Sequence, residues 1–139
     1  MVTVNVTDDD TQSFNTSVNM LTIDEGATGT VDVFLNAQPT ANVLVTVGTS
    51  NGAVATAAPI NLTFTPADFN LAQTITITGV QDADMTDGTA NITLSATGIT
   101  MATIPVMVRD DDVQRINSTV QNLTITEGLT GQILSLIHI

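Results

Sequence analysis

The chain has 139 residues, with 14 acids set against Arg109 and Arg115 and no Lys, a formal net charge of −12. That field opposes binding to nucleic acid or to an anionic membrane and suggests a cation as partner. There is no Cys, so disulfides and thiolate chemistry are excluded. There is also no Trp or Tyr, so an aromatic platform for stacking sugars is absent, and no apolar run approaches the length of a membrane span.

Val4-Asn5-Val6-Thr7-Asp8-Asp9-Asp10 returns as Val106-Met107-Val108-Arg109-Asp110-Asp111-Asp112, an offset of 110 − 8 = 102 residues. Asn19-Met20-Leu21-Thr22-Ile23-Asp24-Glu25-Gly26 returns at the same offset as Gln121-Asn122-Leu123-Thr124-Ile125-Thr126-Glu127-Gly128. Between residues 3–31 and 105–133, 15 of 29 pairs are identical, which marks an internal repeat. The expected organisation is the last strand of one repeat at 1–10, a complete module at 11–112 and the first strands of a third repeat at 113–133. At this offset Leu134 matches Asp32, an outward polar position, so residues 134–139 break the pattern. They are set apart as a non-native tail, and His138, the only His, goes with them.

Within the module the pattern is period-two alternation of Val, Ile and Thr, punctuated by Gly, Pro, Asn and Asp. A first strand is expected over Phe14–Ile23, and a second over Thr30–Leu35 with Val31, Val33 and Leu35 inward. Val43, Val45 and Val47 mark a third, and Gly48–Ala58 reads as a loop of small residues. A fourth uses Ile60, Leu62 and Phe64, with Phe69 plugging the core from the connector that follows. Thr74–Val80 is a fifth, Asn91–Ala96 a sixth and Ala102–Val108 a seventh. Pro105 cannot donate to a ladder, which puts the last strand near an edge or at a bulge. Met20, Met85, Met101 and Met107 are expected to pack. No window has helical periodicity, so the fold class is all-β: a seven-stranded antiparallel immunoglobulin-like β-sandwich.

In such a sandwich, strands one, three, five and seven run roughly the same way, so the loops after them gather at one pole. That pole receives Glu25, then Asp82, Asp84 and Asp87, then Asp110, Asp111 and Asp112. Carboxylate oxygens without Cys or His are a donor set for calcium, which takes about 6–8 oxygens in irregular geometry, and suit magnesium less well. Each piece alone has a plainer reading, since Asp caps its own backbone in turns and a triple Asp can be a solvated linker. Convergence of all three, with the triple Asp and the Glu-Gly pair recurring at the repeat offset, favours Ca2+.

A strand ending in Glu25-Gly26, the connector Phe64-Thr65-Pro66-Ala67-Asp68-Phe69-Asn70, the strand Gln73-Thr74-Ile75-Thr76-Ile77-Thr78-Gly79-Val80, an acidic loop and a closing strand into Asp110-Asp111-Asp112 together resemble a Calx-beta domain. The resemblance covers residues 11–112 fully and is nearer to the tandem repeats of large bacterial surface proteins than to the modules of sodium–calcium exchangers. It implies calcium ligands at Glu25, Asp82, Asp84 and Asp110 to Asp112, and an extracellular or cell-surface location. Its expected partners are calcium ions, neighbouring repeats of the same chain and a surface or matrix adhesion target. The sequence departs from the family in the loop after the third strand, Gly48 to Ala58, which has no acid and offers Asn51 as its only plausible oxygen donor. One or two sites in the roughly 0.1–1 mM class of extracellular modules are therefore expected. The leading expectation is a calcium-stiffened spacer and adhesion module, not an enzyme. The alternatives are a calcium-independent structural repeat with decayed sites and a regulatory calcium sensor.

Overall fold

The computed structural model describes residues 1–7, 9–119 and 122–138, the last four through their backbone alone. In chain order the strands are β1 (Phe14–Thr16), β2 (Leu21–Asp24), β3 (Thr28–Leu35), β4 (Val43–Thr49), β5 (Ala55–Ala58), β6 (Asn61–Phe64), β7 (Gln73–Gly79), β8 (Gly88–Ala96), β9 (Ile99–Arg109), β10 (Arg115–Ser118) and β11 (Ser135–His138). Nine of them build two sheets, β1-β3-β7-β5 and β2-β9-β8-β4-β6, while β10 and β11 form a separate pair. No helix occurs among the described residues, so none is long and apolar enough to cross a membrane. The fold is an all-β two-sheet sandwich, with nine strands in its body rather than the expected seven.

Alternation places the core as expected along most strands. Val31, Val33, Leu35, Val45, Val47, Leu62, Phe64, Ile75, Ile77, Ile92, Leu94, Ile104, Val106 and Val108 all lie inside, between the two sheets. Many of the outward positions between them are Thr or Asn, as at Thr46, Asn61, Thr63, Thr76 and Thr93, giving faces with high strand propensity and little charge. Phe69 packs against the core from its connector, partly buried, and its carbonyl accepts from Leu35 N–H at 2.8 Å.

Four expectations are corrected. The first strand is two strands. β1 pairs antiparallel with β3, after which the chain crosses and β2 pairs parallel with β9, so the sandwich is not wholly antiparallel. Side chains make the crossing: Thr16 Oγ1 donates to Val18 O at 2.9 Å, and Ser17 Oγ accepts from Asp32 N–H at 2.9 Å. These bonds replace ladder bonds, as Ser and Thr often do. Second, the loop after β4 contains β5, whose register Thr56↔Thr78 adds an edge to the first sheet. Third, Ile60 precedes β6 and is 65% exposed, so the inward set there is Leu62 and Phe64 alone. Fourth, Met20, Met85, Met101 and Met107 are exposed surface residues, not core.

Pro105 opposes Asn91 of β8, one residue before β2 begins its pairing at Leu21↔Val106. The outer side of β9 is therefore an edge at Pro105, where a missing N–H leaves no ladder bond unmade. The irregularity in this strand pair lies elsewhere, between Leu94 and Ala96.

Outside the module, Val2, Val4 and Val6 are exposed and in no ladder, although their counterparts Ile104, Val106 and Val108 are buried. The difference is partners: β9 lies between β8 and β2, and no strand flanks residues 2–7. Pairing of β10 with β11 places Ile116 opposite Ile137 and Asn117 opposite Leu136. Subtracting 102 gives Phe14 opposite Leu35 and Asn15 opposite Phe34, the register of β1 with β3. The repeated register thus extends into residues 135–138, which the sequence pattern set apart from the repeat.

Candidate metal centre

One pole of the sandwich collects the C-terminal ends of β2, β7 and β9 and the N-terminal ends of β3 and β8, through the pairs Asp24↔Arg109, Thr28↔Thr78 and Gly88↔Val108. The turn from β2 to β3 is fixed by backbone bonds to both sheets. Glu25 N–H donates to Arg109 O, Gly26 N–H to Gly79 O and Gly79 N–H to Ala27 O, each at 3.0 Å. Gly26 has φ +67°, and a Cβ there would stand 2.9 Å from Gln81 Oε1. A Cβ on Gly79 would stand 2.8 Å from Asp24 O and 3.0 Å from Val108 Cγ1, so the strands approach closely enough to need glycine.

This turn points Glu25 inward. Glu25 is 7% exposed, the one buried charged residue among those described. Its Oε2 accepts from Gln81 Nε2 at 3.0 Å and from Asp82 N–H at 3.4 Å. Ligand oxygens of Glu25, Asp82 and Asp112 all lie within 4.8 Å of one another. Asp82 is exposed and Asp112 half-buried, so the group runs from the buried Glu25 to solvent at Asp82. Asp112 Oδ2 is buried and has no hydrogen-bond partner. An orphaned carboxylate oxygen facing other carboxylates is costly unless a proton or a cation joins it.

The same strain shows in acidity. Burial raises the Glu25 carboxyl above the usual carboxylate range; the Asp82 N–H bond opposes this, and the charges of Asp82, Asp110 and Asp111 add to it. Burial also raises Asp112, followed by the charges of Asp110, Asp111, Asp82 and Asp84. Asp68, in the connector, goes the other way, because Thr65 N–H and Oγ1 both donate to its Oδ1.

The structure brings together three of the seven acids singled out from sequence and gives the other four local roles. Asp84 Oδ1 accepts from Thr86 N–H at 2.7 Å, while Asp84 N–H donates to Asp82 Oδ1 at 2.9 Å. Asp87 Oδ1 accepts from Asp110 N–H at 3.0 Å, tying the acidic loop to the exit strand. Asp110 Oδ1 accepts from Asp112 N–H at 3.3 Å, and Asp111 Oδ1 accepts from Gln81 Nε2 at 2.9 Å. Asn51, the oxygen donor singled out in the acid-free loop after β4, uses its Oδ1 inside its own loop, accepting from Ala53 N–H at 3.1 Å.

Sequence reading missed Gln81. Its amide contacts two of the acids from different loops, and the available signal was a neutral donor directly preceding Asp82 at the end of β7. Asp8, the first of the triple Asp in the preceding copy, lies outside the described residues.

No family model matches this sequence, and no curated protein does. Several solved structures share the fold. Domains 4 and 5 of the S-layer protein SbsC are similar at 18% identity over 69% of this chain, with a TM-score of 0.51. The YadV chaperone is similar at 12% identity over 77% of this chain, with a TM-score of 0.53, and this chain covers 61% of it. SSP-19 of Caenorhabditis elegans, an MSP-domain protein like family member, is similar at 12% identity over 68% of this chain and 97% of its own, with a TM-score of 0.52. The chain spans half of the S-layer fragment. At these identities the likeness establishes the two-sheet sandwich and nothing finer.

Proposed function

We propose that the chain is an immunoglobulin-like, Calx-beta-like calcium-binding module of a tandem array, acting as a calcium-stiffened spacer and adhesion element on an extracellular surface. The observation that carries the reading is the three-carboxylate group of Glu25, Asp82 and Asp112, drawn from three loops, with one buried oxygen unpartnered. Ca–O distances of about 2.3–2.6 Å let two ligands of one ion stand up to about 5 Å apart, so oxygens within 4.8 Å of one another suit a shared calcium. The shorter, stricter coordination of magnesium suits them less.

In this reading Glu25 and Asp82 supply oxygens from the module body and Asp112 supplies one from the exit linker. A bound ion neutralises the group and joins linker to body, setting the angle to the next repeat. A spacing role is supported by the site's place at the exit toward the next repeat, where Asp112 of the linker meets Glu25 and Asp82 of the body. A calcium-independent structural repeat is the second reading. It is favoured by the acid oxygens of Asp84, Asp87 and Asp110, which already accept backbone N–H bonds.

Melting separates the two. Excess CaCl₂ should raise the melting temperature above that in EDTA, MgCl₂ should do so much less, and Asp82→Asn combined with Asp84→Asn should remove the calcium response. Equal melting in CaCl₂ and EDTA would leave the structural repeat.

A further inference from the structure

The side-chain amide of Gln81 sits between acids of two loops that are far apart in sequence. Its Nε2 donates to Glu25 Oε2 at 3.0 Å and to Asp111 Oδ1 at 2.9 Å. Its Oε1 lies over Gly26, where any Cβ would stand 2.9 Å from it. One nitrogen therefore links the β2–β3 turn, the start of the acidic loop and the exit linker. Glu25 belongs to the three-carboxylate group and Asp111 does not, so the amide joins that group to a further acid of the exit linker.

We infer that Gln81 is a positioning residue, a neutral latch that holds the linker Asp110–Asp112 against the module when no cation is present. A primary amide offers two N–H donors to carboxylates that otherwise face one another, and bonds to charged acceptors are the stronger kind. Held this way, Asp112 stays beside Glu25 and Asp82 before an ion arrives, and binding need not order the linker. Without the amide, the Asp110 N–H bond to Asp87 is left to tie to the acidic loop a segment whose charges repel, since the Asp112 N–H bond to Asp110 lies within the segment itself. The latch itself is independent of the calcium reading; its effect on cation affinity rests on that reading.

Hydrogen exchange of the full chain tests it, in EDTA and again in CaCl₂, with wild type, Gln81→Leu and Gln81→Glu. Leu keeps most of the side-chain volume and deletes the donors. Glu keeps the length and replaces donors by a further carboxylate. In EDTA both variants should speed amide exchange at Asp110 and Asp112, whose N–H groups are hydrogen-bonded, about tenfold, with the β9 amides of Ile104, Val106 and Val108 unchanged. In CaCl₂ the Glu variant should recover wild-type protection, because its new oxygen serves the ion, while the Leu variant should need several times more calcium to do so. Wild-type exchange at Asp110 and Asp112 in the Leu variant in EDTA would overturn the latch. Because that arm contains no calcium, it stands apart from the calcium reading: a wild-type chain indifferent to calcium defeats the reading and leaves the latch, whereas unchanged exchange in EDTA defeats the latch alone.

Discussion

Glu25→Gln should stabilise the chain in EDTA at neutral pH and abolish its response to calcium. Glu25 is the buried charge of the pole, and its carboxyl is raised first by burial. Its folded pKa lies above the ordinary 4.5, so between those two values the folded state holds a proton that the unfolded state has released. Stability in EDTA must therefore fall as pH rises through the raised value and level off above it. Asp112, raised from 3.8, adds a change of the same sign, whereas the lowered Asp68 gives stability that is lost as pH falls through its own depressed value. In EDTA the wild-type chain should accordingly melt highest in mild acid.

Gln at position 25 keeps the shape and an acceptor for Gln81 and Asp82 N–H while carrying no charge. Its melting temperature in EDTA should exceed wild type by a few degrees at pH 7 and vary less with pH. The wild type should gain about 2.7 kcal/mol, or about 10–20 °C, at a hundredfold calcium excess over Kd, and the variant almost none of it. Scanning calorimetry at pH 5 and pH 7, with EDTA and with calcium, gives all four quantities. A variant less stable than wild type in EDTA would mean that Glu25 holds the turn by its hydrogen bonds and carries no charge penalty.

Phe64→Ala should cost about 3–5 kcal/mol, the largest loss expected from one side chain here. Phe64 is the largest of the fully buried side chains, at 0% exposure, and comes from β6 at the margin of the five-stranded sheet. Its removal takes apolar surface from the core and leaves a cavity that flanking strands, fixed by their ladders, fill only in part. For a domain with about 5–15 kcal/mol in total, that loss brings the midpoint of denaturation down steeply. Ile60→Thr, four residues earlier, should change stability by less than about 0.5 kcal/mol, because Ile60 is 65% exposed. Urea melts of the pair decide whether inward alternation begins at Leu62. Equal losses would place Ile60 in the core as well.

That contrast shows how far sequence carries. Period-two alternation locates Val31, Val33 and Leu35 or Ile104, Val106 and Val108 because each polar neighbour is forced to the opposite face. It overruns at Ile60, where alternation continues but the ladder starts only at Asn61. It also misses β5, since Ala55-Thr56-Ala57-Ala58 has little apolar contrast to show a period. The crossing between β1 and β2 is invisible to it, because the breakers are the Thr16 and Ser17 hydroxyls rather than Gly or Pro.

The pole follows the same division. Strand direction suffices to gather Glu25, the Asp82–Asp87 loop and Asp110–Asp112 at one end. Which acids face one another depends on how each loop spends its backbone bonds, with Asp84 and Asp110 used as local caps, Asp87 used to tie the acidic loop to Asp110, and Asp112 left with a free oxygen. Gln81 was missed because a search for charge passes over a neutral donor.

The most direct test of the central claim is a calcium titration followed by two-dimensional ¹⁵N–¹H spectra of the EDTA-stripped chain, with Asp112→Asn as control. Saturable shifts confined to Glu25–Gly26, Gln81–Asp87 and Asp110–Asp112, with a Kd of about 0.1–1 mM and loss in the control, are the predicted result. Unchanged amides at these positions up to about 10 mM calcium would contradict the account.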